Sequence, residues 1–232
     1  MIFRLFAVAT FLSGLFFLQV FFVSAQNQTN DTLIVTWRAN TLFPSDYQGK
    51  AFPGPRSSVT ASAEVYRNGK WIDTSRANFT WMLDEKIIGR GEGIGEFSFR
   101  IPARPDLSVK LKATVMFPDT GLSLNSFSSI PVMGPQVVLN APFPEKNVAP
   151  QSRFTLEAIP YFWNVKSVSN LLFSWTANTM RQSFKGQSSI TFTVGAPTND
   201  YEKELQATIL LQNPEDPTEF AKDYVQLNIQ SQ

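Results

Sequence analysis

One pattern constrains this chain more than any other: it is written twice. Phe79-Thr80-Trp81 recurs as Phe173-Ser174-Trp175, an offset of 94 residues. Leu111-Lys112-Ala113-Thr114-Val115 recurs as Leu205-Gln206-Ala207-Thr208-Ile209, again at 94. Phe97-Ser98-Phe99 matches Ile190-Thr191-Phe192 with a one-residue gap, and Val59-Thr60-Ala61-Ser62-Ala63 matches Phe154-Thr155-Leu156-Glu157-Ala158. Downstream, Ile130-Pro131-Val132 falls where Leu227-Asn228-Ile229 does. Matches that keep their order over most of the chain mean two copies of one unit.

The unit is made of strands. Phe97-Ser98-Phe99-Arg100-Ile101, Ile190-Thr191-Phe192-Thr193-Val194 and Val225-Gln226-Leu227-Asn228-Ile229 alternate apolar and polar residues. That period of two gives one buried and one wet face. Turn residues separate the strands at Asn68-Gly69, Pro118-Asp119-Thr120-Gly121 and Asn213-Pro214-Glu215-Asp216-Pro217. Asn-Gly in particular tolerates the positive φ of a tight hairpin. No helical apolar stripe follows residue 25. The expected fold is therefore all-β: two tandem antiparallel β-sandwiches, one over residues 33–133 and one over 134–232, joined near Gly134-Pro135 and the stiff Pro142-Phe143-Pro144 stretch.

The Phe-x-Trp strand followed by a polar turn, Asp84-Glu85-Lys86 in the first copy and Ala177-Asn178-Thr179 in the second, resembles the central strand of Ig-like and PKD-like domains. The resemblance implies that Trp81 and Trp175 are core anchors. Neither copy has the Cys pair of that family or a full PKD signature. The chain as a whole also resembles short exported envelope proteins of small-genome bacteria, which implies no particular activity.

Residues 1–25 (MIFRLFAVATFLSGLFFLQVFFVSA) form a targeting segment. Arg4 is its only charge, Leu5 to Val23 is almost wholly apolar, and Val23-Ser24-Ala25 is a small-residue exit. These are the parts of a secretory signal peptide. The 19 residues from 5 to 23 also suffice for an uncleaved anchor helix. Residues 26–32 read as a polar leader. The sandwiches are then expected outside the cytosol, whether secreted or anchored.

Composition narrows the chemistry. The 232 residues include no cysteine and no histidine. This rules out Cys/His zinc sites, Ser-His-Asp and Cys-His nucleophiles, disulfides and lipid attachment to cysteine. Without Arg4 the chain carries 19 basic and 19 acidic residues, so a nucleic-acid-binding basic face is not expected. Carboxylates are the remaining catalytic groups, and Asp84-Glu85 and Glu215-Asp216 sit in turns, where solvated charge is the expectation. Glu215-Asp216 and Asp200 lack EF-hand spacing. Gly89-Arg90-Gly91-Glu92-Gly93-Ile94-Gly95 superficially resembles a phosphate loop. It is followed by a strand rather than a helix N-terminus, so it reads as a hairpin connection. No catalytic, cofactor-binding or metal-binding residue is assigned, and no cofactor is implied.

Surface recognition remains. Trp71, Tyr161 and Trp163 lie near the same early loop of each copy and are the candidate binding aromatics. Trp37 to Pro55 (WRANTLFPSDYQGKAFPGP) has no counterpart in the second copy. It is expected to pack on the first domain; an arm crossing to the second, or a recognition loop, is the alternative. The sequence thus points to a non-enzymatic structural or adhesive protein with a protein partner. A carbohydrate- or cell-wall-binding module that uses the loop aromatics is the alternative.

Overall fold

The computed structural model describes residues 31–103, 107–141, 146–178, 180–195 and 204–230. The targeting segment, the polar leader to residue 30, Pro142–Pro144, Thr179 and Asp200 lie outside the described residues. Among the described residues no helix is long and apolar enough to cross a membrane.

The chain is all-β and forms two consecutive sandwiches. In the first, β1 (Asp31–Ala39), β2 (Ser58–Arg67) and β3 (Lys70–Ile72) make one sheet. The opposing sheet uses β4 (Asn78–Leu83) and β5 (Lys86–Glu92), while β6 (Glu96–Arg100) returns to pair with β2. Adding β7 (Ser108–Met116) and β8 (Ser123–Pro131) completes the order β5-β4-β7-β8.

The second sandwich repeats this plan. Strands β9 (Gln136–Asn140), β10 (Asn147–Val148) and β11 (Arg153–Tyr161) are followed by β12 (Leu172–Ala177) and β13 (Met180–Lys185). Then come β14 (Ser189–Thr193), β15 (Glu204–Asn213) and β16 (Asp216–Ile229). The sheets run β14-β11-β9 and β10-β16-β15-β12-β13. Among the described residues all strand pairings are antiparallel except the two-residue β10–β16 pair.

Each sandwich closes over its own core. The first core gathers Val59, Ala61, Val65, Phe79, Trp81, Leu111, Val115 and Ile130; the second gathers Leu156, Trp163, Phe173, Trp175, Ile209, Leu211 and Leu227. Alternation decides which side chains enter. In β4 Phe79, Trp81 and Leu83 are buried while their neighbours are not; in β12 Phe173, Trp175 and Ala177 are buried, and Ser174 between them is covered as well. A buried indole removes roughly 150–250 Å² from water. Trp81 is therefore the largest fully buried side chain of the first core, and Trp175 shares that place with Trp163 in the second.

The strand pairing corrects one feature of the sequence repeat. Trp81 lies opposite Ala113, but Trp175 lies opposite Ile209, not opposite Ala207. The string Leu205–Ile209 has thus slid two residues relative to its twin. The turns hold this register: the Asp84 carboxylate accepts from the Lys110 N–H (2.7 Å), and Asn178 Oδ1 accepts from the Gln206 N–H (3.2 Å). A two-residue slip leaves the same face inward, so it costs no burial. Measured from the tryptophan strand, Ile130 and Leu227 are equivalent, because they lie opposite Val109 and Leu205.

The turn signals act as expected. Asn68 and Gly69 both have positive φ (47° and 84°) and close the β2–β3 hairpin. Asp84 and Glu85 also sit at positive φ, 45° and 67°, with no glycine to ease it. The Gly89–Gly95 run is strand β5 as far as Glu92 and then a tight connection into β6.

Candidate functional site

The segment between β1 and β2 does not stay on the first sandwich. Leu42 leaves β1 and forms an isolated antiparallel bridge with Trp163 of the second sandwich. Its N–H donates to the Trp163 carbonyl and its carbonyl accepts from the Phe162 N–H, both at 2.7 Å. The Leu42 side chain packs against the second core. Tyr47 then meets Tyr161 and Phe162 edge-on, both with centroids 5.7 Å apart. On the way back, Lys50 Nζ caps the Trp37 ring at 3.5 Å. Phe52 meets Phe162 at 5.5 Å while packing on the first core. The expectation that this stretch packs on the first domain alone is corrected: it is an arm that joins the two.

A polar layer completes the joint. The Asn164 N–H donates to Glu219 Oε1 (2.6 Å), and Asn164 Nδ2 donates to the Pro55 carbonyl (3.0 Å). Ser57 Oγ donates to Asn164 Oδ1, and Asn213 Nδ2 donates to Glu219 Oε2 (2.7 Å). Glu219 is buried, and that burial pushes its pKa up despite the two donors. Arg56 reaches across to Asp216 (2.9 Å) and Thr218 (3.0 Å). The Thr218 hydroxyl, and then Arg56, hold the Asp216 carboxyl below its usual range. Asp216 is therefore a strut between the sandwiches rather than a free turn charge. Above the joint lies an open cleft of about 760 Å³ with Asn40, Arg100, Lys166 and Glu215 on its walls.

This geometry separates the sequence-predicted aromatics. Trp163 is a correction: it is fully buried, with Nε1 donating to the Gln136 carbonyl (2.8 Å), so it cannot present its ring to a ligand. Tyr161 is half-buried under Tyr47 as part of the joint. Trp71 alone of the three stands open, 59% exposed, with its ring edge-on to Tyr66 at 5.1 Å. The three do not form one patch.

The exposed rings that sequence reasoning passed over are Phe127 on β8, and Phe220 and Tyr224 on β16, with exposures of 67%, 57% and 61%. Phe127 lies opposite Lys112 and Tyr224 opposite Thr208, which are equivalent positions once the two-residue slip is applied. Each sandwich thus carries one exposed ring at the same place on the outer face of its last strand. Lys110 Nζ lies 4.7 Å over the Phe127 ring. Alternation contained this signal, because buried Ile130 and Leu227 put Phe127 and Tyr224 on the outward phase. Among the described residues no three His, Cys, Asp or Glu side chains come together in a way that would hold a metal ion.

No protein-family model and no curated protein matches this chain. Solved structures do resemble it. The three N-terminal domains of the highly immunogenic outer capsid protein (Hoc) of bacteriophage RB49 align over 86% of this chain and 59% of that one, at 16% identity and a TM-score of 0.49. The fibronectin(III)-like modules of Clostridium thermocellum CbhA align over 85% and 95%, at 13% identity and a TM-score of 0.31. A structure from a 1.5-MDa bacterial ice-binding adhesin aligns over 86% and 65%, at 12% identity and a TM-score of 0.30. The chain therefore spans less than two thirds of the Hoc and adhesin chains it matches.

Proposed function

We propose that this is an exported, non-catalytic structural or adhesive protein that acts through protein contacts at the cell envelope. Residues 1–25 would serve as its signal or anchor, and residues 33–133 and 134–232 as its two domains. The observation that carries the reading is the pair of exposed rings at equivalent positions, Phe127 and Tyr224, on two units joined by the Leu42 arm. Exposed aromatic rings such as Phe127 and Tyr224 are enriched in protein-contact surfaces. The resemblance to exported envelope proteins fits the same placement.

The test is chemical cross-linking of the exported protein in intact cells, with mass spectrometry of the products. Phe127→Ser/Tyr224→Ser is expected to lose its principal cross-linked partner while melting as the parent chain does. An unchanged partner set would contradict the reading. The second reading, a carbohydrate-binding module, is favoured by Trp71, whose open ring beside Tyr66 is suited to stacking on a sugar. A glycan array comparing the parent chain with Trp71→Ala checks it: binding must be present and then lost.

A further inference from the structure

The two core tryptophans are finished differently. In the first sandwich, Trp81 Nε1 donates to the Ile94 carbonyl (2.9 Å), and Phe97 stacks on the indole, with centroids 6.1 Å apart and planes 17° apart. A glycine of β5 makes room. A Cβ at Gly89 would come within 2.6 Å of the Phe97 ring, whereas one at Gly91 would meet Ile94 in ordinary contact at 3.4 Å. Gly89 lies opposite Trp81 and Gly91 opposite Phe79.

In the second sandwich, Gln182 lies opposite Trp175 and Phe184 opposite Phe173. Phe184 packs against the core from the strand position that Gly91 leaves open in the first sandwich. Ile190 stands in the place of Phe97, as its position opposite Leu156 shows. Ile94 is replaced by the exposed Gln187, whose amide turns to the Ser189 carbonyl (3.1 Å). The connection itself is anchored alike in both: the Gly186 N–H donates to the Leu171 carbonyl (2.9 Å) as the Gly93 N–H does to the Ala77 carbonyl (2.9 Å), so the difference lies in the side chains.

The result is a donor without an acceptor. Trp175 is 1% exposed, and its Nε1 has no hydrogen-bond partner. Beside it lies a cavity of about 250 Å³ lined by Trp175, Ala177, Gln182, Ile190, Phe192 and two threonines. A water molecule accounts for only about 30 Å³ of liquid volume, so one water on the N–H would leave most of this space unfilled. Among the described residues the lining carries no charge, which suits a neutral occupant. The cavity is bordered by β13 and β14, each the last strand of its sheet among the described residues, so an extended chain can reach it along that edge.

We propose that this cavity is a peptide-docking site. It takes an extended segment of a partner polypeptide, with one backbone carbonyl accepting from Trp175 Nε1 and one apolar side chain entering the space beside the indole. The first sandwich identifies this chemistry, because there the same indole is satisfied by a backbone carbonyl and covered by an apolar ring. The site deepens the protein-contact reading by naming a partner class, but it lies apart from Phe127 and Tyr224.

The probe is a synthetic peptide with the sequence of residues 93–99, Gly-Ile-Gly-Glu-Phe-Ser-Phe, the stretch that closes the first sandwich. Titrated into the isotopically labelled chain, it is expected to give a saturable shift of the Trp175 indole N–H, with a midpoint at or below about 1 mM. Ile190→Phe, which refills the cavity, is expected to weaken binding at least tenfold. Trp175→Phe keeps the ring and the cavity but removes the donor, and the same weakening, read by anisotropy of a labelled peptide, covers the case in which Ile190→Phe fails to fold. No saturable shift, or equal binding by the folded variants, overturns the proposal. Phe127→Ser/Tyr224→Ser is expected to bind the peptide as the parent does, so failure of the outer-face reading and failure of this one are distinguishable.

Discussion

Trp81 and Trp175 occupy the same strand position in two copies of one unit, yet one site is closed and the other open. Trp81 has a hydrogen-bond acceptor, a stacked ring and, at Gly89, a glycine that admits that ring. Trp175 has larger neighbours on β13, a smaller residue at 190 and an orphaned N–H. The difference shows how little sequence a sandwich needs to change to turn a core contact into a cavity. Replacing Gly91 by Phe184, Ile94 by Gln187 and Phe97 by Ile190 removes the lid without disturbing the strand order.

The largest effects come from deleting the indoles. Trp81→Ala is expected to cost about 3–5 kcal/mol, the usual range for a large buried ring. Trp175→Ala should fall at the low end of that range, because it gives up no hydrogen bond. Urea denaturation followed by circular dichroism reads the order, and a larger loss at Trp175 would break the comparison.

Next is the glycine that makes the closed site possible. Gly89→Ala drives a Cβ into the Phe97 ring, and overpacking of this kind costs about 1–3 kcal/mol. Gln182→Ala, at the matching position of β13, is expected to change stability by less than about 0.5 kcal/mol. Thermal melting of the two variants side by side measures the contrast.

A smaller effect belongs to the joint. Burial raises the pKa of Glu219 above its unfolded value, so folding favours the protonated form. The stabilising contribution is complete below the ordinary carboxylate range and is lost as pH rises through the raised pKa. Glu219→Gln, which cannot ionise, is expected to flatten that part of the stability profile. Denaturation midpoints collected from acid to neutral pH check it, and an unaltered slope would show that Glu219 is not the group responsible.

Much of this fold is legible in the sequence because period two is a strong signal: the strands, the repeat and the burial of Trp81 and Trp175 all follow from it. What escapes is what alternation cannot encode. The two-residue slip of Leu205–Ile209 keeps every side chain on its own face, so the pattern reads the same in either register. The path of the Leu42 arm depends on a bridge to a residue more than a hundred positions away, and no local feature names that partner. Trp163 shares its aromatic, loop-like surroundings with Trp71, yet the arm covers one and leaves the other open. Phe127 and Tyr224 were readable in principle, since Ile130 and Leu227 fix the inward phase of their strands. An isolated outward ring simply has no motif to mark it.

The most direct test of the account is a pair of conservative substitutions, Trp81→Phe and Trp175→Phe, compared by equilibrium urea denaturation. Each keeps a large apolar ring and removes only the indole N–H and part of the ring system. The account predicts that Trp81→Phe loses about 1–2 kcal/mol more than Trp175→Phe, because it leaves the Ile94 carbonyl unpaired, whereas Trp175→Phe removes a donor that has no acceptor. Equal losses, or a larger loss at Trp175, would contradict the distinction between a closed and an open sandwich.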